Sequence, residues 1–349
     1  MKKFRVALSD DFRNADGTPA FPSFDLSPLD DDPRIDWDYI PVTDGRIAAA
    51  DIDGFDALIL LAASFDADSF PASDQLCLIA RFGVGFDNVD VIACDRNNVA
   101  LTITPDGVRR PVAVAVITLM LALAGRLTIK DKLTRAGPEG WAARGGHMGV
   151  GLVGLTLASV GLGNIGMEVF RLAKPFGLNF IAHDPFADPA AAAKLGVELV
   201  GLDEVFQQGD FVSINCPLND DTEGLVNAQN IAKMKKTAFL INTSRGPIVD
   251  QAALTDALAA KEIAGAGLDV FSEEPTTAND PLFAFENVIT TPHALCWTDQ
   301  CFAGIGACDV QAVQAVASGK APSGVVNRAI LENQNWLDKL DFNADTYPD

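Results

Sequence analysis

Three residue types that together could grip an acid and move a proton fall in the last third of this 349-residue chain. They are Arg245 in Ile241-Asn242-Thr243-Ser244-Arg245-Gly246, Glu274 in Asp269-Val270-Phe271-Ser272-Glu273-Glu274-Pro275, and His293 in Thr290-Thr291-Pro292-His293. A guanidinium can fork onto a carboxylate and a neighbouring carbonyl, while an imidazolium can deliver a proton to a forming alkoxide. Glu274 would hold His293 and favour its charged form; in the oxidative direction the neutral ring would act as base. Singly, each has a bland reading: a structural histidine, a surface ion pair, a solvated carboxylate. Their joint placement, each just after an apolar run, favours the chemistry.

Those runs are the elements that must position the three. From Leu155 onward they are Leu155–Val160, Asn179–Ala182, Phe211–Ile214, Ala238–Ile241, Ala266–Val270 and Val288–Thr290, with helix-like gaps such as Ile165–Phe176 and Asp250–Ala260. Six strand-sized runs alternating with helices predict right-handed crossovers and a doubly wound parallel sheet. In such a sheet, ligands bind outside the carboxyl ends of the strands, where all three residues stand. The first 105 residues carry a similar series at Phe4–Leu8, Ala57–Leu61, Leu76–Ala80 and Val99–Thr102. That series predicts a second parallel α/β layer. Between its first two runs, Asp10–Pro33 is rich in Asp and Pro and has no periodicity, so it reads as a long loop.

Val160-Gly161-Leu162-Gly163-Asn164-Ile165-Gly166 fits G-x-G-x-x-G, a weak pattern alone. Here it follows a strand and opens an amphipathic helix, the context in which glycines allow a tight turn and close approach of a pyrophosphate to a helix N-terminus. The next strand candidate leads into His183-Asp184-Pro185. A carboxylate at Asp184 would accept from the ribose hydroxyls and repel a 2'-phosphate, favouring NAD over NADP.

Hydrophobic residues make up 48% of the chain and charged residues 21%, as expected for two packed domains. A net charge of -21 argues against nucleic acid as a partner and leaves anionic ligands to be held by local donors. The three histidines lack metal-site spacing, so no metal is expected, and the six cysteines form no C-x-x-C pair. No secretory h-region can be built from the N-terminus, which points to the cytoplasm and reduced thiols. The apolar stretch Val112–Ala124 is short for a membrane span and reads as a buried or subunit-interface helix. A helix over Asp299–Ser318 is expected to return the chain to the first domain, leaving an acidic tail from Leu331 to Asp349.

Arg81-Phe82-Gly83-Val84-Gly85-Phe86-Asp87-Asn88-Val89-Asp90, the Gly161 loop, Asn215-Cys216-Pro217-Leu218, Asn242–Gly246, Gly267–Pro275 and Thr291-Pro292-His293 together carry a resemblance. The chain resembles the D-isomer-specific 2-hydroxyacid dehydrogenases, a family that includes phosphoglycerate, glyoxylate/hydroxypyruvate and D-lactate dehydrogenases. The resemblance implies two Rossmann-like doubly wound α/β domains with a cleft between them. One would be a flavodoxin-like substrate domain (1–110 plus 297–349), the other an NAD-binding Rossmann domain (111–296). It implies NAD contacts from Gly161, Gly163, Asn164, Ile165, Gly166, Asp184, Cys216, Pro217, Thr243 and Asp269, and catalysis by Arg245, Glu274 and His293. It implies substrate contacts from the Val84 and Gly85 amides and Arg245, and a homodimer. Phosphite-oxidising relatives carry lysine where Val84 stands, and formate-oxidising ones replace the glutamate, so a glyoxylate- or hydroxypyruvate-like 2-oxo acid is favoured. Trp297, in Ala294-Leu295-Cys296-Trp297, places an indole where many relatives have small residues and is a candidate wall for the substrate side chain. The alternatives are a short phosphoglycerate dehydrogenase or an NAD-sensing, corepressor-like scaffold.

Overall fold

Twelve strands, all paired in parallel, form two sheets in a computed structural model that describes residues 2–348. The first sheet contains β1 (Phe4–Ser9), β2 (Ile35–Ile40), β3 (Ala57–Leu60), β4 (Leu78–Arg81) and β5 (Ala100–Thr102) in the order β2-β1-β3-β4-β5. This is the flavodoxin-like order. The second contains β6 (Thr156–Val160), β7 (Asn179–His183), β8 (Val197–Leu199), β9 (Phe211–Ile214), β10 (Phe239–Asn242), β11 (Gly265–Leu268) and β12 (Val288–Thr290), ordered β12-β11-β10-β9-β6-β7-β8. This is the dinucleotide-binding order with one further strand. The doubly wound α/β expectation holds for both sheets.

The chain divides into two units, Met1–Val108 with Trp297–Asp349, and Arg109–Cys296. In the second, the central strands β6, β9, β10 and β11 are buried on both faces, as parallel strands covered by helices must be. Side chains alternate between two cores along each strand. Val212, Ile214 and Leu240 pack with Leu254 and Leu258 on one face; Phe211, Phe239 and Ile241 pack with Val116, Leu119 and Phe170 on the other. Each such side chain contributes roughly 1.5–3 kcal/mol on burial.

Two strands lie outside the expected series, and both are edges. β2, Ile35-Asp36-Trp37-Asp38-Tyr39-Ile40, has period-two alternation, but its aspartates face solvent and disguise it. Charge on an edge strand also discourages pairing with other chains. β8 has only three residues. The expected acidic tail is instead largely a helix, Gln334–Thr346, because its apolar residues find a core. Trp336 is fully buried and donates from Nε1 to the Cys77 carbonyl at 2.9 Å, and Tyr347 packs edge-on against Phe4. Residue 349 lies outside the described residues.

The apolar stretch expected at Val112–Ala124 lies within a longer helix, Pro105–Gly125. By length and hydropathy this helix could cross a bilayer, but half of its most apolar window is buried in protein. Ala113, Val116, Leu119, Met120 and Leu123 account for its character by packing against the second sheet. The Asp10–Pro33 segment is mostly loop, with short helical turns at Asp10–Phe12 and Ser27–Asp30.

Candidate active site

At the carboxyl edge of the second sheet, strand order reverses between β6 and β9. This is the switch point at which open α/β sheets take ligands. The glycine loop leaves β6 there, and its three glycines have distinct reasons. Gly161 has φ +95°, and a Cβ on it would lie 2.7 Å from Cys216 N. A Cβ on Gly166 would lie 2.6 Å from the Gly161 carbonyl oxygen, so its absence lets the helix Asn164–Ala173 pack on the loop. Gly163 has ordinary φ and nothing within 4 Å of a would-be Cβ. Open space over the helix N-terminus, where Gly163 is the N-cap, is the room a pyrophosphate needs beside the amides of Asn164 and Ile165.

Asp184 follows β7 and accepts from the Leu162 amide at 2.7 Å and the Phe186 amide at 2.9 Å. A carboxylate has about four lone-pair sites, so these two bonds leave capacity for ribose hydroxyls. Two buried polar atoms past β9 and β10, Asn215 Oδ1 and Thr243 Oγ1, lack a hydrogen-bond partner among the described residues. Orphans at this edge fit a dinucleotide that would satisfy them. Burial pushes the Cys216 thiol up to about 11, so it presents a neutral surface.

The catalytic candidates converge through backbone closure. Asn242, buried at the end of β10, donates from Nδ2 to the Arg245 carbonyl at 2.9 Å and accepts from the Ser244 amide at 3.0 Å, pinning the turn. Arg245 Nη1 donates to the Ser244 carbonyl at 2.9 Å. A Cβ on Gly246 would stand 1.7 Å from the Phe271 carbonyl oxygen, so only glycine lets the Arg245 turn touch the segment carrying Glu274.

Glu274 Oε1 accepts from the Phe271 amide at 2.9 Å, and Oε2 lies 2.7 Å from His293 Nδ1. Burial raises the Glu274 pKa, but the hydrogen bonds from His293 and Phe271 and the charges of His293 and Arg245 outweigh it. The carboxyl is therefore held below its usual range. With Nδ1 committed to Glu274, Nε2 is the nitrogen left for a substrate.

His293 has φ +52°, the left-handed region, which costs a non-glycine residue about 1–3 kcal/mol. Asp269, almost fully buried after β11, holds it there. The Asp269 carbonyl accepts from the His293 amide at 2.7 Å. Its carboxylate accepts from Thr291 Oγ1 at 2.6 Å, Ala294 N at 3.0 Å and Leu295 N at 3.1 Å. The structure thus gives Asp269 an anchoring duty beyond the cofactor contact expected of it. Asn242 and Gly246 were not singled out from sequence; the only signal was their place in Asn242-Thr243-Ser244-Arg245-Gly246.

The remaining candidates, Val84, Gly85 and Trp297, belong to the first unit. The turn after β4 is fixed at Gly83, whose φ is +127° and whose carbonyl accepts from Thr104 N at 2.8 Å and Oγ1 at 3.1 Å. Arg81 Nη1 donates to the Phe82 carbonyl at 2.5 Å and lies where a Gly83 Cβ would be. No backbone carbonyl accepts from the Val84 or Gly85 amide among the described residues. Arg110 is paired with Glu168 at 2.6 Å.

Residues 117–294 match the family model described as D-isomer specific 2-hydroxyacid dehydrogenase, NAD binding domain. The chain is 38% identical to a glyoxylate reductase of Aeropyrum pernix over 278 residues, which cover 78% of this chain and 83% of that protein. It is 36% identical to a glyoxylate reductase of Korarchaeum cryptofilum over 281 residues, covering 79% and 84%. The solved structure of a glyoxylate reductase from Paecilomyes thermophila shares the fold, with a TM-score of 0.81 at 24% identity, covering 94% of this chain and 100% of that one. The glycine loop at the switch point, the His293–Glu274 pair and these likenesses agree: the chain belongs to the D-isomer specific 2-hydroxyacid dehydrogenases and is an NAD-dependent enzyme of that family.

Proposed function

We propose that the enzyme reduces small 2-oxo acids to D-2-hydroxy acids, with glyoxylate and hydroxypyruvate as its first substrates. The observation that carries this is the 2.7 Å contact between His293 Nδ1 and Glu274 Oε2, on the sheet edge that also carries the glycine loop. Bound NADH supplies the hydride. His293 Nε2 gives a proton to the carbonyl oxygen as it becomes an alcohol, and Glu274 stabilises the imidazolium before transfer. Arg245 forks onto the substrate carboxylate and carbonyl, and the Val84 and Gly85 amides take the carboxylate. Trp297 borders the side-chain position.

For the cofactor, the reading assigns the pyrophosphate to Gly161, Gly163, Asn164, Ile165 and Gly166 and the ribose to Asp184, which favours NAD over NADP. Cys216, Pro217 and Thr243 line the dinucleotide, and Asp269 meets the carboxamide. In this reading Met1–Val108 with Trp297–Asp349 is the substrate domain. We also infer a cytoplasmic homodimer without nucleic-acid or membrane partners. What supports the dimer is a run of exposed apolar side chains in one stretch of the second unit, including Leu121, Leu127, Trp141, Met148 and Val153.

The test is NADH consumption by the purified protein with glyoxylate, hydroxypyruvate and pyruvate, with NADPH in parallel. Turnover is expected with the first two acids, and NADH should serve better than NADPH. A protein that binds NADH yet leaves a broad 2-oxo acid panel untouched is a nucleotide-sensing scaffold instead.

A further inference from the structure

The Asp10–Pro33 arm packs more tightly than a connection between two strands requires. Its base is fixed by Asp11, whose Oδ2 accepts from the Ala62 and Ala63 amides at 2.9 and 3.1 Å. Further along, the Phe24 ring lies against Gly306 of the helix Asp299–Ala317; a Cβ there would be 2.3 Å from it. Phe12 and Phe24 both pack on Phe82 with ring centroids 5.0 Å away. Phe82 is buried and directly precedes the Gly83-Val84-Gly85 turn.

The other side of this aromatic cluster is open. Phe21 stacks on Phe302 at 4.2 Å and meets Trp297 edge-on at 5.5 Å, while Trp297 meets Phe302 edge-on at 5.4 Å. Phe12, Phe24, Phe82 and Phe302 are buried, Phe21 is half-buried, and Trp297 keeps 53% of its surface exposed. An indole held by two ring contacts yet half open is a preorganised apolar surface: it can take an apolar group without first ordering itself. Phe82 stands two residues before Val84, a span of at most roughly 7 Å, and Phe21 stacks on Phe82 at 6.4 Å, which ties the cluster to the Val84 turn.

We propose that Phe21 and Trp297 form the wall that receives the side chain of the 2-oxo acid, so that the enzyme also takes acids with compact apolar side chains and this arm sets their ranking. The proposal rests on the carboxylate grip assigned above to Val84 and Gly85. Glyoxylate has no side chain to place on the wall and so serves as the internal reference.

The experiment compares kcat/KM for 4-methyl-2-oxopentanoate and for glyoxylate in the wild type, Phe21→Ala, Phe21→Leu and Trp297→Ala. Loss of an apolar contact of this size is expected to lower the ratio of the two about tenfold in each alanine variant. Phe21→Leu, which keeps apolar bulk, should lower it less. A ratio within about twofold of wild type in both alanine variants, whatever happens to Tm, overturns the wall and leaves Phe21 as packing alone. Calorimetric binding of both acids to the NAD-loaded protein separates this from the catalytic reading. Binding of 4-methyl-2-oxopentanoate that weakens in Phe21→Ala and Trp297→Ala, in a protein that reduces neither acid, supports the wall and removes the reductase assignment. Unchanged binding in both variants removes the wall even if turnover is robust.

Discussion

The turn carrying Arg245 and the turn carrying Val84 do comparable jobs in the proposed reaction, but what surrounds them is built in opposite ways. In the second unit the site is made by backbone meeting backbone: Gly246 against Phe271, Gly161 against Asn215 and Cys216, and the His293 amide on the Asp269 carbonyl. In the first unit the surroundings of the turn are made by side chains from three distant segments: Phe21 and Phe24 from the arm, Phe82 from the turn, Trp297 and Phe302 from near the C-terminus. Backbone closure fixes positions to fractions of an ångström, as proton transfer and hydride acceptance need. A side-chain wall can change by substitution without moving the backbone, which suits selection among substrates.

The hardest test of this contrast is His293→Ala. It should lower kcat/KM for glyoxylate by about 10² to 10⁴, the usual range for losing a general acid, while NADH affinity by fluorescence titration stays near wild type. If turnover survives, the second unit's cluster is structural and the comparison fails.

Gly246→Ala should come next. The new methyl cannot fit beside the Phe271 carbonyl, so the Arg245 and Glu274 segments must separate. A misplacement of about 1 Å costs on the order of 10² in rate, and the strain costs about 1–3 kcal/mol, visible as a lower Tm. Wild-type kinetics and Tm would show that backbone contact is not what assembles the site.

Gly163→Ala sharpens the point from the other side. Its methyl meets nothing in the protein and its φ is ordinary, so Tm should fall only by what alanine costs at an N-cap, about 1 kcal/mol or less. Binding of NADH should weaken roughly tenfold or more, because the methyl enters the space assigned to the pyrophosphate. A destabilised protein with normal NADH affinity would reverse the roles given to Gly163 and Gly246.

The smallest effect concerns pH. The Glu274 carboxyl is held below its ordinary 4.5 in the fold, so the unfolded chain binds its proton more readily. The stability it contributes is present above that ordinary value and is lost as pH falls through the lower folded value. Glu274→Gln should therefore flatten the acid limb of Tm against pH by removing that contribution at neutrality, while changing little below the folded value. An acid limb identical to wild type would show that Glu274 is not linked to folding through His293.

Much of the second unit was legible because parallel strands buried on both faces read as apolar runs, as in Phe211–Ile214 and Ala238-Phe239-Leu240-Ile241. The glycine loop and Asp184 were legible because a tight turn between strand and helix restricts residue type locally. β2 escaped because aspartates alternate through it, and β8 because three residues carry no period. The terminal helix escaped because the value of Trp336 depends on a partner, the Cys77 carbonyl, 259 residues away in sequence.

By itself, then, the sequence determined the strand succession, the glycine loop and which polar residues follow which strands, since these depend on near neighbours along the chain. Only the tertiary structure decided that Gly246 must be glycine, that Asp269 holds His293 in a left-handed conformation, and that six aromatic rings from separate segments gather beside the Val84 turn. Those facts depend on which distant atoms come within 3 to 6 Å of one another, a property of the folded chain.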